Sequence, residues 1–225
     1  MNEKCSIEDI LMLVEQNFVF LHIGTFLSLY IQKHNLATEA NNISLNLRQN
    51  TYLLRGDLIR DSLSESYVNW NKSNILGYFV TWNAFRGIAT AMHEGIKNEV
   101  FKNFLERILK QKFIHFKFII AFIRNVLSHN IENEIRLTED DFKGSKESFI
   151  NRVNNSGVAI FDFIYSRDFP EKISFPDNYG FNIELQFFNL KGGNKFTDII
   201  SEWQLFMIME LCYNIIYYYR RNPTA

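Results

Sequence analysis

A chain of 225 residues, 47% hydrophobic and 22% charged, can bury a sizeable core, which excludes a disordered or fibrous protein. A net charge of −1 and a pI near 6.5 exclude a protein that holds nucleic acid by its overall field, so any such contact must be a local patch. The two cysteines, Cys5 and Cys212, stand at opposite ends of the chain, which excludes a CxxC site and a disulfide framework and suits a reducing, cytoplasmic setting.

Only three prolines and ten glycines interrupt the chain, so long helices are expected. The expected fold is mostly α: one helical bundle of five to seven helices over residues 1–225, with a single β-hairpin near 172–188. The first helix begins at Ser6, whose hydroxyl caps it, with Asp9 three residues on. Ile7, Ile10, Leu11, Val14, Phe18 and Leu21 recur at helical spacing, and the helix ends near Asn35. Phe18–Ile31 is the most apolar stretch, but it is short and contains His22, Gly24, Thr25 and Ser28. The later run Ile199–Tyr219 is broken by Glu202, Glu210 and Asn214, so no membrane partner is expected. The first ten residues lack the basic-then-apolar pattern of a signal peptide.

Asn46–Ser66 reads as a second, more polar helix with Leu47, Leu54, Leu58 and Ile59 inward. A third runs from Ile75 to His93, with Gly95 as its stop. Asn98–Asn130 is helical with a bend near Lys112. Ile131–Gly144 reads as an acidic, solvated loop holding Glu132, Glu134, Glu139, Asp140 and Asp141. Ser145–Ser166 reads as a helix with Phe149, Val153, Ile160 and Ile164 on one face. In Lys172–Phe188 the apolar period changes. A turn cluster, Pro176-Asp177-Asn178-Tyr179-Gly180, precedes Phe181, Ile183, Leu185 and Phe187 at alternate positions, the pattern of a hairpin with one wet face. Leu190–Asn194 is a loop, and Thr197 or Asp198 caps a last helix through Arg221, with cations near its negative pole.

The chemistry concentrates in Ile119–Asn130, IIAFIRNVLSHN. Arg124 is followed by Asn125, and His129 stands four residues further on. Arg-x4-6-His alone carries no weight: with five histidines in the chain about one match is expected by chance, and Arg86-x6-His93 is a second one. Requiring the neighbouring Asn lowers that expectation to about 0.03. The segment resembles the core motif of HEPN domains, Arg, a polar residue that is often Asn, then His on a helix. The resemblance implies a helical bundle, and in many members a metal-independent ribonuclease of toxin–antitoxin, abortive-infection or CRISPR-linked systems. It implies Arg124, Asn125 and His129 as catalytic residues, RNA as partner, a homodimer that brings two motifs together, and a restraining antitoxin or defence protein. One subfamily has Tyr two residues after the motif His as a target of its antitoxin; here that position is Ile131.

At about 100° per residue, with Lys110 as zero, Phe113, Phe116, Ile119, Ile120, Ile123, Val126 and Leu127 fall on one broad apolar side. Lys117, Arg124 and Ser128 fall near zero, Asn125 just beyond, and His129 at the edge. Lys97–Arg124 holds seven basic and two acidic residues, a strip suited to an RNA backbone through Lys110, Lys117 and Ser128. Five residues separate Arg124 from His129, about 140° on an ideal helix. Convergence on one phosphate therefore requires distortion or a second copy.

Each residue also has a plainer role: Arg124 as an ion-pair partner, Asn125 as a packing residue, His129 as a structural histidine. His22, His34 and His115 read as structural. His93 shares a helical face with Arg86 and carries a rival or auxiliary site at lower weight. His93-Glu94 does not continue to HExxH, Lys191–Lys195 lacks the spacing of a phosphate-binding loop, and no cluster has metal-ligand spacing, so neither metal nor cofactor is expected. The other functional class is a non-catalytic module that uses the same strip to hold RNA or a nucleotide, or serves as a helical scaffold.

Overall fold

The computed structural model describes residues 6–34, 41–47, 50–57, 80–130, 134–153, 155–171 and 175–222. The chain divides into two compact units, one of residues 19–84 and one of residues 1–18 with 85–225. Helix α1, Ile7–His34, opens with the expected Ser6–Asp9 box: the Ser6 hydroxyl donates to Asp9 Oδ2 at 2.7 Å and accepts the Asp9 amide at 3.2 Å. Its stretch Ile7–Leu27 is long and apolar enough to cross a bilayer, an earlier start than the Phe18–Ile31 stretch singled out by hydropathy.

In the smaller unit, α1 continues past Val19, and two paired strands, residues 43–47 and 50–54, overlap the start of the helix expected over Asn46–Ser66. Strand β1, Ile43–Leu47, pairs antiparallel with β2, Asn50–Leu54, with Asn46 opposite Thr51. Ile43, Leu45 and Leu47 alternate with Ser44 and Asn46, a period of two that the wider helical window averages away. The remainder of that expected helix, including Leu58 and Ile59, lies outside the described residues.

The larger unit holds most of α2, Val80–Gly95, which ends at the expected glycine. Helix α3, Glu99–Leu109, is capped by Asn98. Lys110 takes φ 51° and a short 3₁₀ turn, Lys110–Lys112, leads into α4, Phe113–His129. This is the expected bend, and it has a consequence: Lys110 is exposed and off the axis of α4, so the cationic strip starts at Lys117. Helix α5, Glu139–Arg152, begins inside the segment read as a solvated loop and takes its last part, residues 139–144, with Asp141 buried.

The β-structure of this unit differs in one partner. Strand β4, Gly180–Gln186, is present with the expected alternation, Phe181, Ile183 and Leu185 buried. It pairs antiparallel with β3, Val158–Ile164, a segment read as helix. The other arm of the expected hairpin, residues 172–174, lies outside the described residues. In β3 Ala159, Phe161 and Phe163 are buried while Asp162 faces water, but Ile160 and Ile164 on the other side give the sequence an apolar run with no clear period. Gly157 at φ +63° ends the turn after α5 and starts the strand. The Ile160 amide donates to His115 Nδ1 at 3.2 Å, a structural use of that histidine.

The last helix is split. A short α6, Tyr165–Asp168, follows β3; α7, Phe196–Ile199, precedes α8, Glu202–Arg221. Ser201 and Gln204, not Thr197 or Asp198, form the capping box of α8. The core lies where α4 meets β3 and α5: Phe116 packs on Phe161 at 5.4 Å between ring centres and Phe118 edge-on to Phe149 at 5.0 Å. Phe116, Ile119, Ile120, Phe122, Ile123, Val126 and Leu127 are fully buried, so α4 is a central helix with one polar strip left open. Burying a side chain of this size contributes about 1.5–3 kcal/mol, which makes the register of α4 costly to change.

Candidate functional site around the polar strip of helix α4

The end of α4 is held from two sides. A helix leaves its last carbonyls without internal partners. Here Arg86 on α2 supplies them: its Nε donates to the Leu127 carbonyl and its Nη2 to the Asn130 carbonyl at 3.1 Å. The Asn130 side chain donates back to the Val126 carbonyl at 2.8 Å. Arg86 of the second motif match is therefore a clamp on α4.

On the other side stands α5. Thr138 caps it, and Asp141 in its first turn accepts from the Thr138 amide at 2.6 Å and the Thr138 hydroxyl at 3.0 Å, both on Oδ2. Asn130 Nδ2 reaches the same oxygen at 3.3 Å. The second oxygen, Oδ1, lies 3.2 Å from His129 Nδ1. Asp141 has no solvent exposure, whereas the His129 side chain is 52% exposed. A buried carboxylate is tolerated only when it is hydrogen-bonded, and this one has four donors. Because a carboxylate only accepts, Nδ1 of His129 carries the proton of this contact, and Nε2 is the ring nitrogen left over.

One turn earlier the pattern repeats. Asn125 Nδ2 donates to Ser145 Oγ at 3.4 Å, and Ser145 lies one turn after Asp141. Two positions four apart on α4 thus meet two positions four apart on α5, in antiparallel order. Arg124 Nη1 donates to Asn125 Oδ1 at 3.0 Å. The guanidinium folds back on to the neighbour that stands four residues before His129. Arg124 Nε is buried and has no hydrogen-bond partner among the described residues. Lys117 is half-buried two turns before Arg124, and Ser128 is exposed one turn after it.

His93 stands on α2 two turns after Arg86. Burial lowers its pKa below the ordinary imidazole value, and the positive charges of Lys97, Arg124 and Lys117 lower it further against the opposing charge of Glu94. Lys97 in turn pairs with Glu94 at 2.6 Å and holds that carboxyl below its usual range.

The structure joins Arg124 to Asn125 by one hydrogen bond and His129 to Asp141 by another, leaves Lys117 and Ser128 along the same helix, and sets Lys110 apart. It adds Asp141 and Ser145 as partners from α5. Asp141 had a legible signal: Thr138-x-x-Asp141 repeats the capping pattern used to place Ser6–Asp9. Among the described residues no group of three or more His, Cys, Asp or Glu is placed to hold a metal. A shallow depression lined by Glu184, Gln186, Asn194, Lys195 and Asp198 includes none of these residues. No family model, curated protein or solved structure matches the chain.

Proposed function

We propose that this chain is a metal-independent endoribonuclease of the HEPN type, cutting by attack of the RNA 2′-hydroxyl on the adjacent phosphate. The observation that carries the reading is the His129–Asp141 pair, a solvent-facing imidazole oriented by a buried carboxylate, one turn from the Arg124–Asn125 pair. The first pair moves a proton, and the second holds an anion. RNA brings its own nucleophile, so the protein has to supply proton transfer and charge stabilisation only.

His129 Nε2 exchanges a proton with the reacting oxygens, and Asp141 fixes its tautomer and balances the imidazolium that forms. Arg124 binds the scissile phosphate and stabilises charge developing on it. Asn125, tethered to Ser145, holds the guanidinium in place. Lys117 and Ser128 contact neighbouring phosphates, and Lys110 contributes charge from beyond the bend. A role in a toxin–antitoxin or anti-phage system, a restraining partner protein and a homodimer pairing two motifs belong to the same proposal; their support is the motif resemblance.

The test is one labelled single-stranded RNA beside its DNA analogue. The expected products are a 2′,3′-cyclic phosphate and a 5′-hydroxyl from RNA and no cleavage of DNA. Tight binding of the RNA without any cut would instead assign the strip to a non-catalytic binding module.

A further inference from the structure

Helix α1 is one continuous helix from Ile7 to His34, and it is apolar on two opposite faces. Ile10, Leu11, Val14, Phe18 and Leu21 are buried on one side. On the other, eight large apolar side chains are 43–65% exposed. Met12, Val19 and Phe26 recur every seven residues, and so do Leu13, Phe20 and Leu27. Ile23 and Tyr30 continue the row that begins at Gln16. At about 100° per residue these three rows form one stripe. The alternating four-and-three spacing of Met12, Gln16, Val19, Ile23, Phe26 and Tyr30 is that of a seam between two helices. Within it Phe26 stacks on Tyr30 with ring centres 5.9 Å apart.

The eight side chains present on the order of 800 Å² of apolar surface, more than the few hundred Å² usual on a monomer and close to one partner's share of a standard interface. Two occupants fit such a face: lipid and a second helix. A helix lying on a bilayer carries Lys or Arg along its polar edge, and α1 has neither before Lys33; Glu15, Gln16 and His22 stand there instead. Crossing a bilayer would strip the buried face from the core. The ends of α1 select the second helix. Glu8 and Asp9 are the acidic charges of the first turn, Lys33 and His34 the basic groups of the last, and all four are exposed. A copy turned end for end beside the first matches them.

We propose that α1 pairs antiparallel with α1 of a second copy of this chain, about a two-fold axis level with residue 21. Glu8 and Asp9 then meet the partner's His34 and Lys33. Met12 packs against the partner's Tyr30, and Val19 against the partner's Ile23. A parallel pair would set each charged end against its like. The antiparallel one also aligns the two helix dipoles favourably. A two-fold contact uses the same patch on both copies, so the stripe is covered in both at once. The contact is carried by α1 and not by the Arg124–His129 segment, so it does not rest on the ribonuclease reading.

The experiment is sedimentation equilibrium of the full chain, wild type beside Ile23→Glu, Trp203→Glu and His129→Ala. Wild type should be a dimer. Ile23→Glu places two carboxylates at the centre of the seam and should weaken it by about 10²–10⁴-fold, with the far-UV circular dichroism of wild type. Trp203 is 56% exposed outside α1, and Trp203→Glu and His129→Ala should stay dimeric. Disulfide trapping in a Cys5→Ser background reads the direction. Met12→Cys and Tyr30→Cys proteins should each stay unlinked alone and cross-link to each other when mixed. A monomeric wild type overturns the proposal, and flotation of that monomer with phosphatidylcholine–phosphatidylserine vesicles would assign the stripe to lipid. A dimer that Ile23→Glu leaves intact, or Met12→Cys protein that links to itself, overturns it as well. RNA cleavage is measured separately, and its outcome leaves this contact untouched.

Discussion

His129 Nδ1 lies 3.2 Å from Oδ1 of Asp141, a carboxylate with no solvent exposure that also caps the first turn of α5. One side chain therefore ties the start of α5 to His129 at the end of α4. The two uses separate on substitution. Asp141→Asn turns one acceptor oxygen into a donor, which must face either the Thr138 donors or His129. A lost cap is expected to lower stability by about 1–2 kcal/mol. The wrong tautomer of His129 is expected to lower kcat by about 10²–10⁴-fold. Denaturant unfolding reads the first and single-turnover cleavage the second; a variant of full activity would separate Asp141 from the chemistry.

In the proposed reaction, replacing His129 by Ala would remove the proton-transfer group and leave the cationic strip. Cleavage is expected to fall by about 10²–10⁴-fold, while RNA affinity falls much less. Arg124→Ala is expected to damage both, because it removes a phosphate contact and the charge that stabilises the transition state. Equal loss of binding in the two variants would contradict this division of roles.

The two arginines of the Arg-x-His matches differ in partner, and salt dependence distinguishes them. Arg86 spends its guanidinium on the carbonyls of Leu127 and Asn130. Arg86→Met is expected to cost about 1.5–3 kcal/mol of stability, the range for hydrogen bonds from charged donors. The slope of log affinity against log salt should stay as in wild type. Arg124→Met should reduce that slope by about one, as expected for loss of a phosphate contact.

Acid should loosen the joint between the bend and α6. Burial opposes the charge of Asp168, but hydrogen bonds from Arg167, Lys112 and the Ile164 amide outweigh it and hold the carboxyl at about 2, below its ordinary 3.8. A carboxyl depressed in the folded state stabilises above its unfolded value and loses that contribution as pH falls toward the folded one. Wild type should exceed Asp168→Asn by up to ~2 kcal/mol near pH 7, and the gap should close between pH 4 and 2. Urea unfolding at pH 7, 4 and 2.5 measures it; a gap that does not change with pH would exclude the linkage.

Addition of excess EDTA is expected to leave RNA cleavage intact, since in the proposed reaction the 2′-hydroxyl is the nucleophile and Arg124 supplies the charge a cation would otherwise provide. Activity that returns only with an added divalent ion would show different chemistry.

The sequence by itself determined what neighbouring residues decide. The 3.6-residue apolar period of Phe113–Leu127 put those side chains in the core, and all seven positions assigned to the apolar side are buried. The polar residues left over, Lys117, Arg124, Asn125, Ser128 and His129, are the open strip. Ser6, Gly95 and the bend near Lys112 were legible because caps and breaks act within a turn. Where two periods competed, short-range reading failed. Ile43–Leu47, Asn50–Leu54 and Val158–Ile164 are strands because each finds a partner strand, and the pairing of Phe161 with Ile183 spans a separation that no local window contains. Asp141 shows the same division. Its cap was written in Thr138-x-x-Asp141, but its burial and its contact with His129 exist only once α5 lies against α4. Arg86 could be seen to share a helical face with His93; that it clamps the end of α4 was decided by where it finds its carbonyls, 41 and 44 residues away. A charged side chain in a helical window has many possible partners, and only packing, which fixes which helix lies against which, selects among them.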